Sequence, residues 1–291
     1  MVVVAVGVAV AVAVAVAVVV GVVVGVVVGV VTLNAVPDGS TGRERVKFFT
    51  GMFNVSDVHR MERAFVSVNR LANRKSDFAA GEWIMDSGAF STILKHGGYP
   101  EPVSTYAAHI RRWKGCGTLL AAVAQDYMCE PAMIAKTGLS VAEHQRLTIE
   151  RYDALIAEDT GVYIMPVLQG WTASDYLRHL DAYGSRLAQG AWVGVGSICK
   201  RNANPMSIFM ILSAIKDRRP DLKLHGFGLK ITSLTSPYIQ ELLETADSMA
   251  WSFAARKEGG KHCHWETAKA FADRVSSLMN AVKPPQLFCA I

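Results

Sequence analysis

The chain has 291 residues, of which 51% are hydrophobic and 19% charged, and it carries a net charge of +5. That length and apolar content suit a large domain with a full core, and they exclude a disordered, solvating chain. The five cysteines, at 116, 129, 199, 263 and 289, are odd in number and scattered, which excludes a disulfide framework and suits reduced thiols in a cytoplasmic protein.

After Met1, residues 1–31 are only Val, Ala and Gly. The run is long enough to span a bilayer, yet it has no basic leading segment, no Leu, Ile or Phe, and no aromatic or lysine anchor at its leading edge. We read residues 1–45 as a low-complexity extension and linker, disordered or a mis-assigned start, with Pro37-Asp38-Gly39-Ser40 as turn chemistry. Residues 46–291 are then one domain, with no membrane partner expected. A membrane-anchored interaction protein is the rival that the Val-Ala-Gly run would support.

From Arg45 onward, apolar runs alternate with amphipathic ones. Strands are expected at Lys47 to Gly51, Ala64 to Val68 and Trp83 to Asp86. Gly88 then lets the backbone turn sharply. Val103 to Lys114 has helical spacing, with Ser104 as its cap. Leu119 to Ala124 is a fourth strand. Val141 to Ala157 is a helix opened by a Ser140/Glu143 capping box. Tyr163 to Leu168 is the fifth strand, followed by a helix started by Thr172 or Ser174. Trp192 to Gly196 is the sixth strand, and a helix follows near Pro205 to Lys216. Leu222 to Gly228 is the seventh strand, Ser236 to Thr245 a short helix, Asp247 to Ser252 the eighth strand, and Glu266 to Ala281 the closing helix. Eight buried strands separated mostly by helices imply an α/β fold, a (β/α)₈ barrel. An open doubly wound sheet also alternates, but the dinucleotide-binding glycine fingerprint is absent after the first strand.

The strand ends carry the chemistry. Asp86, Asp126, Gln169, Gly194, Gly196, His225 and Asp247 fall at or near them, and a closed barrel gathers such positions around one pocket. Three carboxylates, an amide and close-approach glycines suit a polar planar ligand. His225 reads as a satisfied core histidine and Cys129 as a small buried residue. Unpaired buried carboxylates are costly, so the three acids carry the functional weight.

Asp86-Ser87-Gly88-Ala89-Phe90 resembles the Asp-Ser-Gly-Gly/Ser-Phe motif of tRNA-guanine transglycosylases. Val167 to Gly170 resembles their Val-Gln-Gly strand end, Gly194-Val195-Gly196 their glycine-rich base-binding strand, and Ala246 to Trp251 the Phe-Asp-Ser-Ala segment of the archaeal branch. Ala124 to Pro131, Lys136 to Gln145, Val167 to Trp171 and Asp247 to Ser252 are similar to the deoxypurine-in-DNA modification protein A group, the DNA-directed relatives. The resemblance covers about residues 46 to 257, with the motifs in family order.

The resemblance implies exchange of guanine in a polynucleotide, DNA before tRNA, for a 7-deazaguanine base. It makes Asp247 the nucleophile and Asp86 the proton-transfer residue. Ser87, Asp126, Gln169, Gly194 and Gly196 would bind the base, and Phe90 or Tyr127 could stack on it. The bacterial tRNA register would put the nucleophile on Ala250, but Asp247-Ser248 matches the archaeal-type motif directly. Lys200, Arg201, Arg256 and Lys257, with Arg70, Arg74, Lys75 and Lys261, would suit phosphate contacts. Partner proteins of a DNA-modification system are implied as well. The superfamily usually holds zinc beyond the last strand. Here only His262, Cys263 and His264 are clustered, with Cys289 far downstream, and adjacent side chains diverge. A degraded or absent zinc site is therefore expected, and no metal or other cofactor is assigned. The rivals are a tRNA-directed transglycosylase, a catalytically reduced nucleic-acid-binding barrel, and a metal-dependent hydrolase whose clustered histidines the sequence lacks.

Overall fold

A computed structural model describes residues 46–257, 259 and 263–283. The Val-Ala-Gly run, the linker, Lys261, His262 and Cys289 lie outside the described residues. Among the described residues there are nine strand segments: β1 Lys47–Gly51, β2 Arg63–Ser67, β3 Glu82–Asp86, β4 Thr118–Val123, β5 Ile164–Met165, β6 Val167–Leu168, β7 Trp192–Val195, β8 Lys223–Gly226 and β9 Thr245–Ser248. Every pairing is parallel, in the order β5-β4-β3-β2-β1-β9-β8-β7-β6.

β5 and β6 are halves of one strand, separated only by Pro166. Proline has no N–H for a ladder, so the strand changes partner there. Ahead of it, Met165 accepts from Ala124 N–H of the β4 side at 3.0 Å; from Pro166 on, the carbonyls of Pro166 and Leu168 each accept from the β7 side at 2.9 Å. Val167 N–H turns to the buried Tyr183 hydroxyl at 3.3 Å, which donates back to the Val167 carbonyl at 3.1 Å. Counting the halves together, eight parallel strands close into a barrel, as the alternation of the sequence implies.

The helices between them are α1 Ala89–His96, α2 Val103–Trp113, α3 Pro131–Thr137, α4 Val141–Ala157, α5 Ala173–Tyr183, α6 Pro205–Arg218, α7 Ile231–Leu234, α8 Pro237–Leu242, α9 Ala250–Lys257 and α10 Trp265–Ala281. Both halves of the Ser140/Glu143 capping box form, and Thr172 caps α5 with Asp175. Ser104 does not cap α2, which begins one residue earlier at Val103 with Pro102 in the capping position.

The eighth strand also differs from expectation. It is Thr245–Ser248, and the apolar run after it coils into α9. Ser248 Oγ accepts the Ala250 N–H at 3.2 Å, and the buried Trp251 indole donates to the Gly51 carbonyl at 2.9 Å. Those two bonds hold the chain in a helical turn where hydropathy alone favours continued extension. Trp83 of β3 is likewise fully buried and donates to the Cys116 carbonyl at 2.6 Å. Among the described residues, no helix is long and apolar enough to cross a membrane.

Gly88 links β3 to α1 with φ of 71°. L side chains disfavour this left-handed region, and an added Cβ would also collide with the Asn69 amide. Gly88→Ala should therefore destabilise the fold by about 1–3 kcal/mol, measured as a lower denaturant midpoint. An unchanged midpoint would show that the turn relaxes at no cost.

Candidate active site

Because all strands run the same way, their carboxyl ends collect at one end of the barrel. Asp86 is the last residue of β3 and Asp247 the third of β9, opposite Phe49 of β1. Asp86 is half-buried, and its carboxyl pKa is raised from 3.8 to about 6, first by burial and then by the negative charge of Asp247. Ser67, its partner across β2, and the Gly88 N–H at 3.1 Å favour its charged form without reversing the shift. The two acids thus feel one another across the ring, and Asp86 holds its proton well above the usual carboxylate range.

Asp247 is 6% exposed and held by specific donors. Its Oδ1 accepts from Gly228 N–H at 3.0 Å and lies 3.3 Å from His225 Nε2. The other imidazole nitrogen, Nδ1, is 2.9 Å from Thr245 Oγ1, which also accepts the Trp192 indole N–H at 2.8 Å. Phe65 stacks on the imidazole at 5.7 Å, and Phe227 meets its edge at 4.7 Å. His225 is a satisfied, fully buried histidine, as the sequence suggests, but one of its satisfying partners is Asp247. Thr245 had no signal beyond its spacing of two from Asp247, which in a strand places both side chains on one face.

The second cluster surrounds Asp126, buried just beyond β4. Burial raises its carboxyl from 3.8 to about 7 despite a hydrogen bond donated by Gln169 Nε2 to Oδ2, with the charge of Asp86 adding to the rise. Gln169 is itself fully buried and pinned throughout. Its N–H donates to His179 Nδ1 at 2.8 Å, and its carbonyl accepts from Gln145 Nε2 at 2.7 Å. Burial lowers His179 to about 4, so the ring is neutral and Nδ1 is free to accept. Gln169 Oε1 takes the Ser197 hydroxyl at 2.7 Å, which lies equally close to Glu130 Oε2. Ser197 has a φ of 58°, uncommon for a residue with a side chain, and its ties to Gln169, Glu130 and Cys129 N–H hold it there. Little in the sequence singles out Glu130 and Ser197; each sits in a strand-end loop, and only folding brings them together.

The remaining expected site residues divide. Ser87 is buried, its hydroxyl near that of Tyr99 but without a hydrogen bond of normal geometry. The space left by Gly194 is filled by the Phe227 ring, and that left by Gly196 by the Gln169 amide, so these glycines admit neighbouring side chains. Phe90 is 47% exposed with the Lys200 ammonium 4.6 Å over its ring, whereas Tyr127 is buried. Arg256 and Lys257 are exposed on α9, with Lys257 over Phe253. Arg201 is committed inward: it covers the Trp171 ring, donates to the Trp171 carbonyl, and reaches Ser207 Oγ at 2.8 Å. Arg70 lies over the Phe53 ring at 3.7 Å, and Arg74 is bonded to Ser56, Ser76 and Asp77. Burial raises the Cys129 thiol pKa, which disfavours a thiolate nucleophile.

Among the described residues, no group of three or more His, Cys, Asp and Glu side chains could hold a metal ion. Of the candidate zinc remnant, Cys263 and His264 are described, while His262 and Cys289 lie outside the described residues. A cavity of about 580 Å³ opens at the other end of the barrel, lined by Lys47, Trp192, Lys223 and Thr245 among others. It lies at the strand starts, away from Asp86 and Asp247.

A raised carboxyl pKa favours folding while the proton is present. Stability from Asp126 is therefore full below about pH 3.8 and is lost as pH rises through about 7. Asp126→Asn should gain on the native protein by more than about 1 kcal/mol between pH 4 and pH 8, measured by denaturant unfolding. A pH-independent difference would contradict the buried, protonated acid.

Compared with known protein families, residues 47–272 match the family described as DeoxyPurine in DNA protein A, DpdA. No curated protein matches the chain.

Proposed function

We propose the function from a premise that the match establishes: the chain belongs to the DeoxyPurine in DNA protein A family, and we infer that it exchanges guanine in DNA for a 7-deazaguanine base. The observation that carries this proposal is the pair Asp86 and Asp247, two acids at one barrel end, of which Asp86 can serve as the proton carrier with its pKa raised to about 6 and Asp247 as the nucleophile. A double displacement at a glycosidic carbon needs that division of labour.

In the first step an Asp247 oxygen attacks the anomeric carbon of the target deoxyguanosine, and the bond to guanine N9 breaks. Asp86, protonated near its pKa of about 6, supplies the proton with which guanine leaves. In the second step the incoming deazaguanine gives its ring proton to Asp86 and attacks the same carbon, which releases the Asp247 carboxylate. The proton returns to its origin, and the polynucleotide backbone stays whole. Asp126, protonated below its raised pKa of about 7, can then both donate to and accept from the base edge, and Gln169 fixes its orientation. The target must leave the stack to reach these groups, so single-stranded or flipped-out guanine is the substrate form.

The test is incorporation of labelled 7-deazaguanine into DNA and into tRNA. Incorporation into DNA is expected from the native protein, and Asp247→Ala should lower it by at least about a thousandfold while leaving the fold intact. Undiminished incorporation by that variant would sink the nucleophile assignment, and incorporation into tRNA alone would move the activity to the tRNA-directed class. Lys200, over the Phe90 ring, and Arg256, exposed on the helix that follows β9, should contact phosphates. Lys200→Glu and Arg256→Glu should each lower the slope of log affinity against log salt by about one, with Asp86 and Asp247 untouched. An unaltered slope would remove these residues from the DNA path.

A further inference from the structure

We propose that His225 is a positioning residue which dedicates one oxygen of Asp247, Oδ1, to the protein and leaves the other, Oδ2, to attack the anomeric carbon. The proposal rests on the assignment of Asp247 as nucleophile.

Thr245 and Asp247 are two residues apart on β9, so their side chains leave the same face about 7 Å apart along the strand. His225 sits on the adjacent strand in register with Thr245, and its ring spans that gap. One nitrogen reaches Thr245 Oγ1 at 2.9 Å and the other Asp247 Oδ1 at 3.3 Å. Rings from three other strands or their ends confine the imidazole: Phe65 stacks on it, and Phe49 and Trp192 meet it edge-on. The ring cannot rotate away without disturbing the barrel interior.

Donor direction then fixes the tautomer. A carboxylate oxygen offers only lone pairs, so the nitrogen facing Oδ1 must carry a proton. A neutral ring therefore accepts at Nδ1, and the Thr245 hydroxyl can donate there because its own lone pair takes the Trp192 N–H at 2.8 Å. The bonds run in one direction, from Trp192 through Thr245 and His225 to Asp247. Gly228 N–H adds a second donor to the same oxygen at 3.0 Å. Oδ1 thus holds two donors, whereas Oδ2 has none among the described residues.

This asymmetry serves both displacements. In the first, Oδ2 keeps its lone pairs for the bond to the anomeric carbon as guanine departs. In the resulting ester, Oδ1 is the carbonyl oxygen. The two donors on it stabilise the negative charge that returns when the incoming base breaks the Oδ2–carbon bond.

His225→Leu keeps an apolar side chain in the aromatic cage and removes the donor. His225→Gln places an amide N–H near the position of Nε2. Turnover of the Leu variant should fall about ten- to a hundredfold with KM for DNA within about twofold, and Gln should recover most of the loss. Nitrogen NMR of the native protein should show His225 as the Nε2–H tautomer, and Thr245→Val should keep it there, because Asp247 Oδ1 still requires a proton on the facing nitrogen. Native turnover by the Leu variant, equal losses in both His225 variants at equal melting temperature, or an Nδ1–H tautomer in the native protein would overturn the proposal. Asp247→Ala separates the two levels. If that variant still exchanges base, the nucleophile assignment fails; if it is inactive while His225→Leu turns over normally, only the role of His225 fails.

Discussion

Three carboxylates share the carboxyl end of this barrel, and like charges in a poorly hydrated space cannot all ionise freely. Much of the local structure answers that constraint. Asp247 receives a backbone N–H and an imidazole. Asp126 receives an amide and, with its pKa near 7, retains its proton through mildly acidic pH. Asp86, between them in electrostatic reach, is left with a pKa of about 6. Burial and the donors each can find thus raise the proton affinities of Asp86 and Asp126 to different extents.

The barrel supplies those donors from different strands. His225 comes from β8, Gln169 follows β6, and Ser197 follows β7, so the polar residues meet only when the sheet closes. Closure depends on the strand that Pro166 divides, because its first half pairs with β4 and its second with β7. Tyr183 takes the backbone groups that the change of partner exposes, and without it Val167 would bury an unpaired N–H. The distance between a structural device and the site is small: Gln169 follows directly on the strand that Tyr183 completes.

Much of the fold was legible in the sequence because alternation of apolar runs is a local signal. The strands ending at Asp86, Asp126, Gln169 and Gly196 could be placed from hydropathy, and the capping box at Ser140 from side-chain chemistry. Where local signals competed, the sequence was a poorer guide. Met249-Ala250-Trp251 is apolar enough for a strand, but Trp251 finds the Gly51 carbonyl, and the chain becomes helical. Nothing local to Gly194 and Gly196 reveals that their missing side chains also make room for Phe227 and Gln169. Arg201 sat in a basic cluster, yet Trp171 and Ser207 claim its guanidinium.

By itself the sequence determined the alternating architecture, the three acids at strand ends and the resemblance that the family match bears out. These are properties of short stretches, each set by hydropathy, a turn residue or a motif. Only the tertiary structure decided the company each acid keeps. His225 reads as a core histidine from its neighbours in the chain, because nothing local reveals that Thr245 and Asp247 lie at its two nitrogens. Proton affinity likewise depends on burial and on charges brought in from other strands, so Asp86 and Asp126 could be located in the sequence but not told apart.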